Sequence, residues 1–214
     1  MTRLQRSKVY LLRNDRIEMT DDSQARLNKW LATSCSAMAV AFSVPPMRSV
    51  IEQSMAWHMV FQMPLLVLGG WLSARGLSAC FPIRGWASFN QFGLTGFMAA
   101  QAIVAYWMLP SAIDRAVVVP SVDALKLLTL FVTGMLLADA FRRAPGALQL
   151  FFMGYWVSMM AWLGMYFATT DLRLCNAYSL QSQRDTGWGL IALGIALGTL
   201  WAASLLRKKA SHTP

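Results

Sequence analysis

The chain has 214 residues, of which 56% are hydrophobic and 14% are charged, and its formal net charge is +9 at pH 7. This composition is too apolar for a soluble domain of this length and indicates a polytopic membrane protein. The positive charge does not require a nucleic acid partner, because basic loops on the cytoplasmic side of a membrane protein account for most of it.

The predicted elements begin with a polar segment. Residues 1–29 are mixed in charge and contain no apolar stretch typical of a cleaved signal peptide, so we expect a cytoplasmic N-terminal segment. Uncharged runs then cover residues 30–47, 53–74, 85–113, 144–170 and 186–206, and a shorter run extends from about residue 122 to 141. Because backbone polar groups must be paired within lipid, we predict an all-α bundle of about six transmembrane helices over residues 30–206.

The distribution of basic residues predicts the orientation of this bundle. With six crossings and the N-terminus inside, fourteen Lys and Arg residues fall on the inner side and five on the outer side. We therefore expect a multi-pass protein of the bacterial inner (plasma) membrane, with both termini in the cytoplasm and residues 207–214 as a basic cytoplasmic tail. Lys126 lies inside the fourth run, where its stem is expected to extend outward toward the membrane surface.

The second predicted helix contains the sequence SMAWHMVFQMPLL at residues 54–66. At about 100° per residue, one face carries all the candidate ligands, whereas Trp57, Val60 and Phe61 point elsewhere. The residues on this face are Met55, His58, Met59, Gln62 and Met63. His58 is expected in the outer half of the bundle, roughly 12 Å from the start of the helix.

Thioether sulfur and imidazole nitrogen together suit Cu(I), a soft cation that does not need carboxylate ligands. The predicted metal site comprises His58, Met55, Met59, Met63 and Met108, and Met165 is a further sulfur at a similar predicted depth. The alternative remains that these methionines fill gaps in the core. A buried histidine can also hydrogen-bond to a neighbouring helix and hold the two helices together.

Other motifs are less informative about function. No hydrolytic triad, P-loop or dinucleotide fingerprint is present, so we do not expect an enzyme. Asp123 with Lys126 is interpreted as a charge pair in a solvated outer connection. Gly194 and Gly198 are spaced to let a neighbouring helix approach closely.

Several fragments, taken in order, resemble the CtaG family of polytopic membrane proteins. They are WHMVFQMPLLVLGG (57–70), YWMLPSAIDRAV (106–117), the glycine in FVTGMLLADA (131–140) and LQSQRDTGWGL (180–190). The resemblance implies a factor that assembles caa-type cytochrome c oxidases and delivers copper, with His58 and Met108 at family site positions. Gln62 and Met108 stand where family members usually have histidines, and the acidic residue of the last element is displaced to Asp185.

Three functional hypotheses follow from these observations. The first is an assembly factor that holds Cu(I) and passes it to a copper-containing respiratory oxidase. The second is a structural accessory subunit of a larger membrane oxidoreductase complex that binds no metal. The third is a membrane enzyme or transporter with His58 and Glu52 on a proton path.

Overall fold

The computed structural model describes residues 54–76, 86–174 and 178–210, together with helical positions between 23 and 41. All regular structure in this part of the chain is helical, so the all-α prediction is confirmed for it. The first predicted span, residues 30–47, falls largely outside the described residues.

The helices follow one another with short connections. A π-helical segment, Trp57–Gln62, leads directly into α1, Met63–Gly76. The remaining helices are α2 (Trp86–Phe89), α3 (Leu94–Trp107), α4 (Pro110–Val118), α5 (Pro120–Arg143), α6 (Gly146–Thr169) and α7 (Leu180–Ala210). Helices α4 and α5 each begin with a proline, a residue that lacks only an N–H that would have no partner in the first turn.

Three of these helices are long and apolar enough to cross a membrane: α5, α6 and the Leu180–Arg207 part of α7. The number rises to four if α3 and α4, which are bent by 71° relative to each other, form one broken span. The prediction of a single helix through residues 85–113 is therefore wrong. Leu109 is held in an extended conformation (φ −72°, ψ 130°) because it precedes Pro110, and this ends α3.

Helix α1 packs against α5 at a pair of glycines. A Cβ atom at Gly70 would collide with the carbonyl oxygen of Phe131, and one at Gly134 would collide with that of Val67. The two backbones are therefore as close as helices can come, as occurs at small-residue contacts between membrane helices.

Helix α6 packs against α7 by the same means. A Cβ atom at Gly164 would lie 2.6 Å from the carbonyl oxygen of Gly187. Farther along, Cβ atoms at Gly194 and Gly198 would each lie 3.2 Å from the nearest side-chain carbon of α6. The predicted packing role of these two glycines is confirmed.

The two helix pairs are joined at both ends of the bundle. At one end, Phe97 of α3 stacks on Phe152 of α6 with ring centroids 4.6 Å apart, and Phe141 of α5 contacts Phe97 edge-on. At the other end, the start of the π-helical segment packs against the start of α7. We call this second end the His58 end, and the candidate site lies there.

Candidate functional site

The π-helical segment presents its polar and sulfur-containing side chains to the bundle interior. The backbone N–H of Met63 donates to the carbonyl oxygen of His58, five residues earlier, so the turn is wider than in an α-helix. The exposed fractions are 0% for Met55, 2% for His58, 3% for Met59, 2% for Gln62 and 7% for Met63, against 51% for Trp57 and 53% for Phe61. The prediction that one face carries these five residues is confirmed.

A serine of α7 fixes the start of this segment. The Met55 backbone N–H donates to Ser182 Oγ at 2.7 Å in a buried contact. The first N–H groups of a helix have no acceptor within the helix, so Ser182 supplies one from its neighbour. One turn further on, Gly189 of α7 allows Val60 to approach, since a Cβ atom there would lie 2.8 Å from Val60 Cγ2.

His58 contacts an ion pair on α5. Lys126 Nζ lies 3.3 Å from His58 Nε2 and 2.5 Å from Asp123 Oδ1. Only 1% of Lys126, 2% of His58 and 8% of Asp123 is exposed. We call His58, Lys126 and Asp123 the buried triad.

The buried triad corrects two expectations. Lys126 does not extend to the membrane surface, and its pair with Asp123 is buried rather than part of a solvated connection. The physical reason is that residues 110–118 form a helix instead of an open loop. Helix α4 buries Ala112, Ile113 and Ala116 in the same hydrophobic cluster as the methionines and so covers the start of α5.

The hydrogen-bond roles within the buried triad follow from charge. An ammonium group has donors and no acceptor, so a protonated Lys126 donates to both of its partners. His58 Nε2 is then an acceptor, and the ring proton is on Nδ1. One cation and one carboxylate balance each other, which a buried pair requires in a medium of low dielectric constant.

The sulfur atoms proposed as ligands surround the same region. Met55, Met59 and Met63 belong to one buried cluster, and Met108, at the end of α3, packs against it. Met165 does not belong to this site, because 48% of the residue is exposed on α6. Glu52, on which the proton-path hypothesis depended, lies outside the described residues.

The donor set restricts the kind of ion that this site could hold. Within the described ranges, no group of three or more His, Cys, Asp and Glu residues comes together. A cation at His58 would therefore depend on thioether ligands, which select soft ions such as Cu(I) over Zn²⁺ or Mg²⁺.

Two further contacts position the surrounding elements. Trp107 Nε1 donates to Thr129 Oγ1 at 2.9 Å and holds the end of α3 against α5. Gln183 accepts from the Leu174 N–H and donates to the Leu172 carbonyl, and this anchors the loop between α6 and α7. Gln183 belongs to the last of the fragments that resemble the CtaG family.

The sequence analysis did not assign Lys126, Asp123 or Ser182 to the site. A usable signal was present for the first two, since ionisable residues inside a predicted membrane helix are candidates for function. Their spacing of three residues also places both on one side of a helix. Ser182 carried no comparable signal, because serines are common near helix starts.

No family model, curated protein or solved structure matches the chain. The resemblance to the CtaG family therefore rests on the quoted sequence fragments, and the functional argument rests on the site itself.

Proposed function

We propose that this protein is a membrane-integral assembly factor resembling CtaG, which binds Cu(I) at the His58 end of its bundle and passes it to a copper-containing respiratory oxidase. The proposal includes six crossings of the bacterial inner membrane, cytoplasmic termini and an outer location for the His58 end. One observation carries it: His58, Met55, Met59 and Met63 are buried together, and Met108 packs against the same cluster.

The chemistry of the cluster suits a transferred ion. Thioethers and a neutral imidazole are uncharged ligands, and methionine side chains are flexible enough to change partners. Copper is the cargo in this proposal, so the protein's part is to offer two or three soft donors in a water-poor site. Such coordination is easier to exchange than a closed set of thiolates, and no reaction beyond ligand exchange is required.

The test is Cu(I) binding by the purified protein under reducing conditions, in detergent or lipid nanodiscs. We expect the wild type to bind Cu(I), and His58→Ala and Met59→Leu to weaken binding, because each removes a buried donor. Met98→Leu and Met165→Leu are matched controls, since these methionines are 60% and 48% exposed and lie away from the cluster. Absence of Cu(I) binding by the wild type, or equal losses in the controls, would contradict the proposal.

A second function is favoured by a specific observation. The Lys126 ammonium already occupies the acceptor nitrogen of His58, and Asp123 balances its charge, so the site is complete without a metal. This supports an accessory subunit that packs against a larger membrane oxidoreductase complex. Exposed aromatic residues on α6 and α7 offer a contact surface for such a partner; they include Phe151, Tyr155, Trp162, Tyr166 and Trp188.

The two functions differ in what accompanies the purified protein. Stoichiometric co-purification with an oxidoreductase, without copper and unaffected by Met59→Leu, would favour the accessory subunit. Transient association, together with copper-dependent activation of an oxidase that is lost in His58→Ala, would favour the assembly factor.

A further inference from the structure

We infer that Lys126 is an internal competitor for the cation that His58 binds: its ammonium group, held by Asp123, closes the site in the empty protein and weakens its grip on Cu(I). This inference rests on the proposed copper function and concerns the regulation of the same site.

The first step of the argument is the single free nitrogen of the imidazole. A neutral imidazole has one protonated nitrogen and one with a lone pair, and only the latter can bind a metal. In the buried triad this lone pair is on Nε2, and Lys126 Nζ lies 3.3 Å from it. Cu(I) and the ammonium group therefore cannot use the nitrogen at the same time.

The second step concerns where the ammonium goes when copper arrives. Asp123 Oδ1 is 2.5 Å from Lys126 Nζ, three residues away on the same helix. Lys126 therefore keeps its counter-ion after it leaves His58, and no buried charge is left without a partner. Movement of the lysine alone is enough to free the nitrogen.

The third step is the strength with which copper is held. Two positive charges near each other repel strongly where the dielectric constant is low. Lys126 is 1% exposed, so water does not screen it from an ion at His58. The loaded site is therefore destabilised, and this favours release to a partner that offers better ligands.

The test removes the competitor together with its counter-ion. In Asp123→Asn/Lys126→Leu the charge balance is kept and His58 Nε2 is open. A hydrogen bond to a charged group contributes roughly 1.5–3 kcal/mol, so we expect Cu(I) to bind on the order of ten- to a hundredfold more tightly than to the wild type. The measurement is competition for Cu(I) with a chelator of known affinity.

The matched control removes an exposed pair of the same charges. Arg184 Nη2 lies 2.7 Å from Asp171 Oδ1, at side-chain exposures of 41% and 86%. Asp171→Asn/Arg184→Leu should leave the Cu(I) affinity unchanged. His58→Ala, added to the Asp123→Asn/Lys126→Leu protein, should abolish the gain.

The outcomes separate the two proposals. Tighter binding by the double variant supports the competitor, whether or not the wild type binds copper. If the wild type fails to bind while the double variant binds, the competitor stands and the copper function of the natural protein does not. Equal binding by both proteins, lost in His58→Ala, overturns the competitor and leaves the copper function standing. If neither protein binds Cu(I), both proposals are wrong.

A measurement on the wild type keeps the inference testable if the double variant does not fold. The chain has two histidines, so His212→Gln leaves His58 as the only imidazole signal in ¹⁵N-histidine NMR. We expect an unprotonated, hydrogen-bonded Nε2 and a protonated Nδ1 in the copper-free protein. A protonated Nε2 would overturn the inference.

Discussion

At the scale of single residues, the stability of the protein depends on the partners of its buried charges. Lys126 and Asp123 are 1% and 8% exposed, so each has lost most of its hydration. A buried ion pair adds little net stability, because desolvation offsets the attraction, but loss of one partner leaves a costly unpaired charge. The pair should therefore behave very differently when it is halved and when it is removed.

We predict that Lys126→Leu lowers the free energy of unfolding by about 3–5 kcal/mol, because the Asp123 carboxylate keeps its burial and loses its counter-ion. Asp123→Asn/Lys126→Leu should recover most of this loss. Equilibrium unfolding in mixed micelles measures both.

Arg184→Leu is the control for this comparison, because it halves an exposed ion pair that contributes about 0–1 kcal/mol. A loss for Lys126→Leu no larger than that for Arg184→Leu would show that the triad is not buried as described.

Ser182 provides a second prediction for a single side chain. Ser182→Ala removes the acceptor of the Met55 N–H, which is buried, and should cost about 1 kcal/mol of unfolding free energy. It should also weaken Cu(I) binding, because the start of the π-helical segment would no longer be fixed. Thr199→Ala is the control: that hydroxyl bonds only to carbonyls of its own helix on an exposed face. Equal effects of the two changes would argue against a positioning role for Ser182.

At the scale of elements, the sequence predicted which face of a helix is buried better than it predicted where helices end. The buried set around His58 was correct although the segment is π-helical, because residues spaced three to five apart stay on one side at either periodicity. Pro110 signalled the break in the third run, but its uncharged composition favoured one span. Whether α4 then leaves or covers the bundle depends on packing with α5, which no local pattern encodes.

The glycines at the helix crossings give a prediction for the elements. Gly134→Ala should lower the free energy of unfolding by at least about 2–3 kcal/mol, because its Cβ would meet the α1 backbone rather than a movable side chain. Equilibrium unfolding in mixed micelles measures the change.

Gly154→Ala is the matched control for this crossing. No atom lies within 4 Å of a Cβ at that position, so the change should be neutral or stabilise α6 by up to about 1 kcal/mol. Similar effects of the two substitutions would contradict the close α1–α5 contact.

At the scale of the whole molecule, composition and charge predicted an all-helical membrane protein, and the described helices agree with that class. They did not predict that Lys126 faces His58, since this contact joins residues 68 positions apart and depends on how α5 is rotated against the π-helical segment. The site is thus a consequence of tertiary packing. The orientation of the whole bundle in the membrane, in contrast, follows from charges that lie outside that packing.

The distribution of these charges predicts which side of the membrane each end faces. Arg142 and Arg143 follow the last apolar turn of α5, where both contact Asp139, and they are predicted to lie in the cytoplasm. Asp171, at the His58 end, should then face the outer side. In a protein whose three cysteines are replaced by serine, Asp171→Cys should react with a membrane-impermeant maleimide on spheroplasts, and Arg142→Cys only after the membrane is opened.

Both probe positions are accessible, since the side chains of Asp171 and Arg142 are 86% and 53% exposed, so failure to react reports on the membrane rather than on burial within the protein. Reaction of Arg142→Cys from outside would reverse the bundle and place the His58 end in the cytoplasm. Delivery of Cu(I) to a site on the outer face of an oxidase would then be impossible for this protein without a further carrier. The labelling pattern therefore tests the direction of copper transfer independently of whether copper binds.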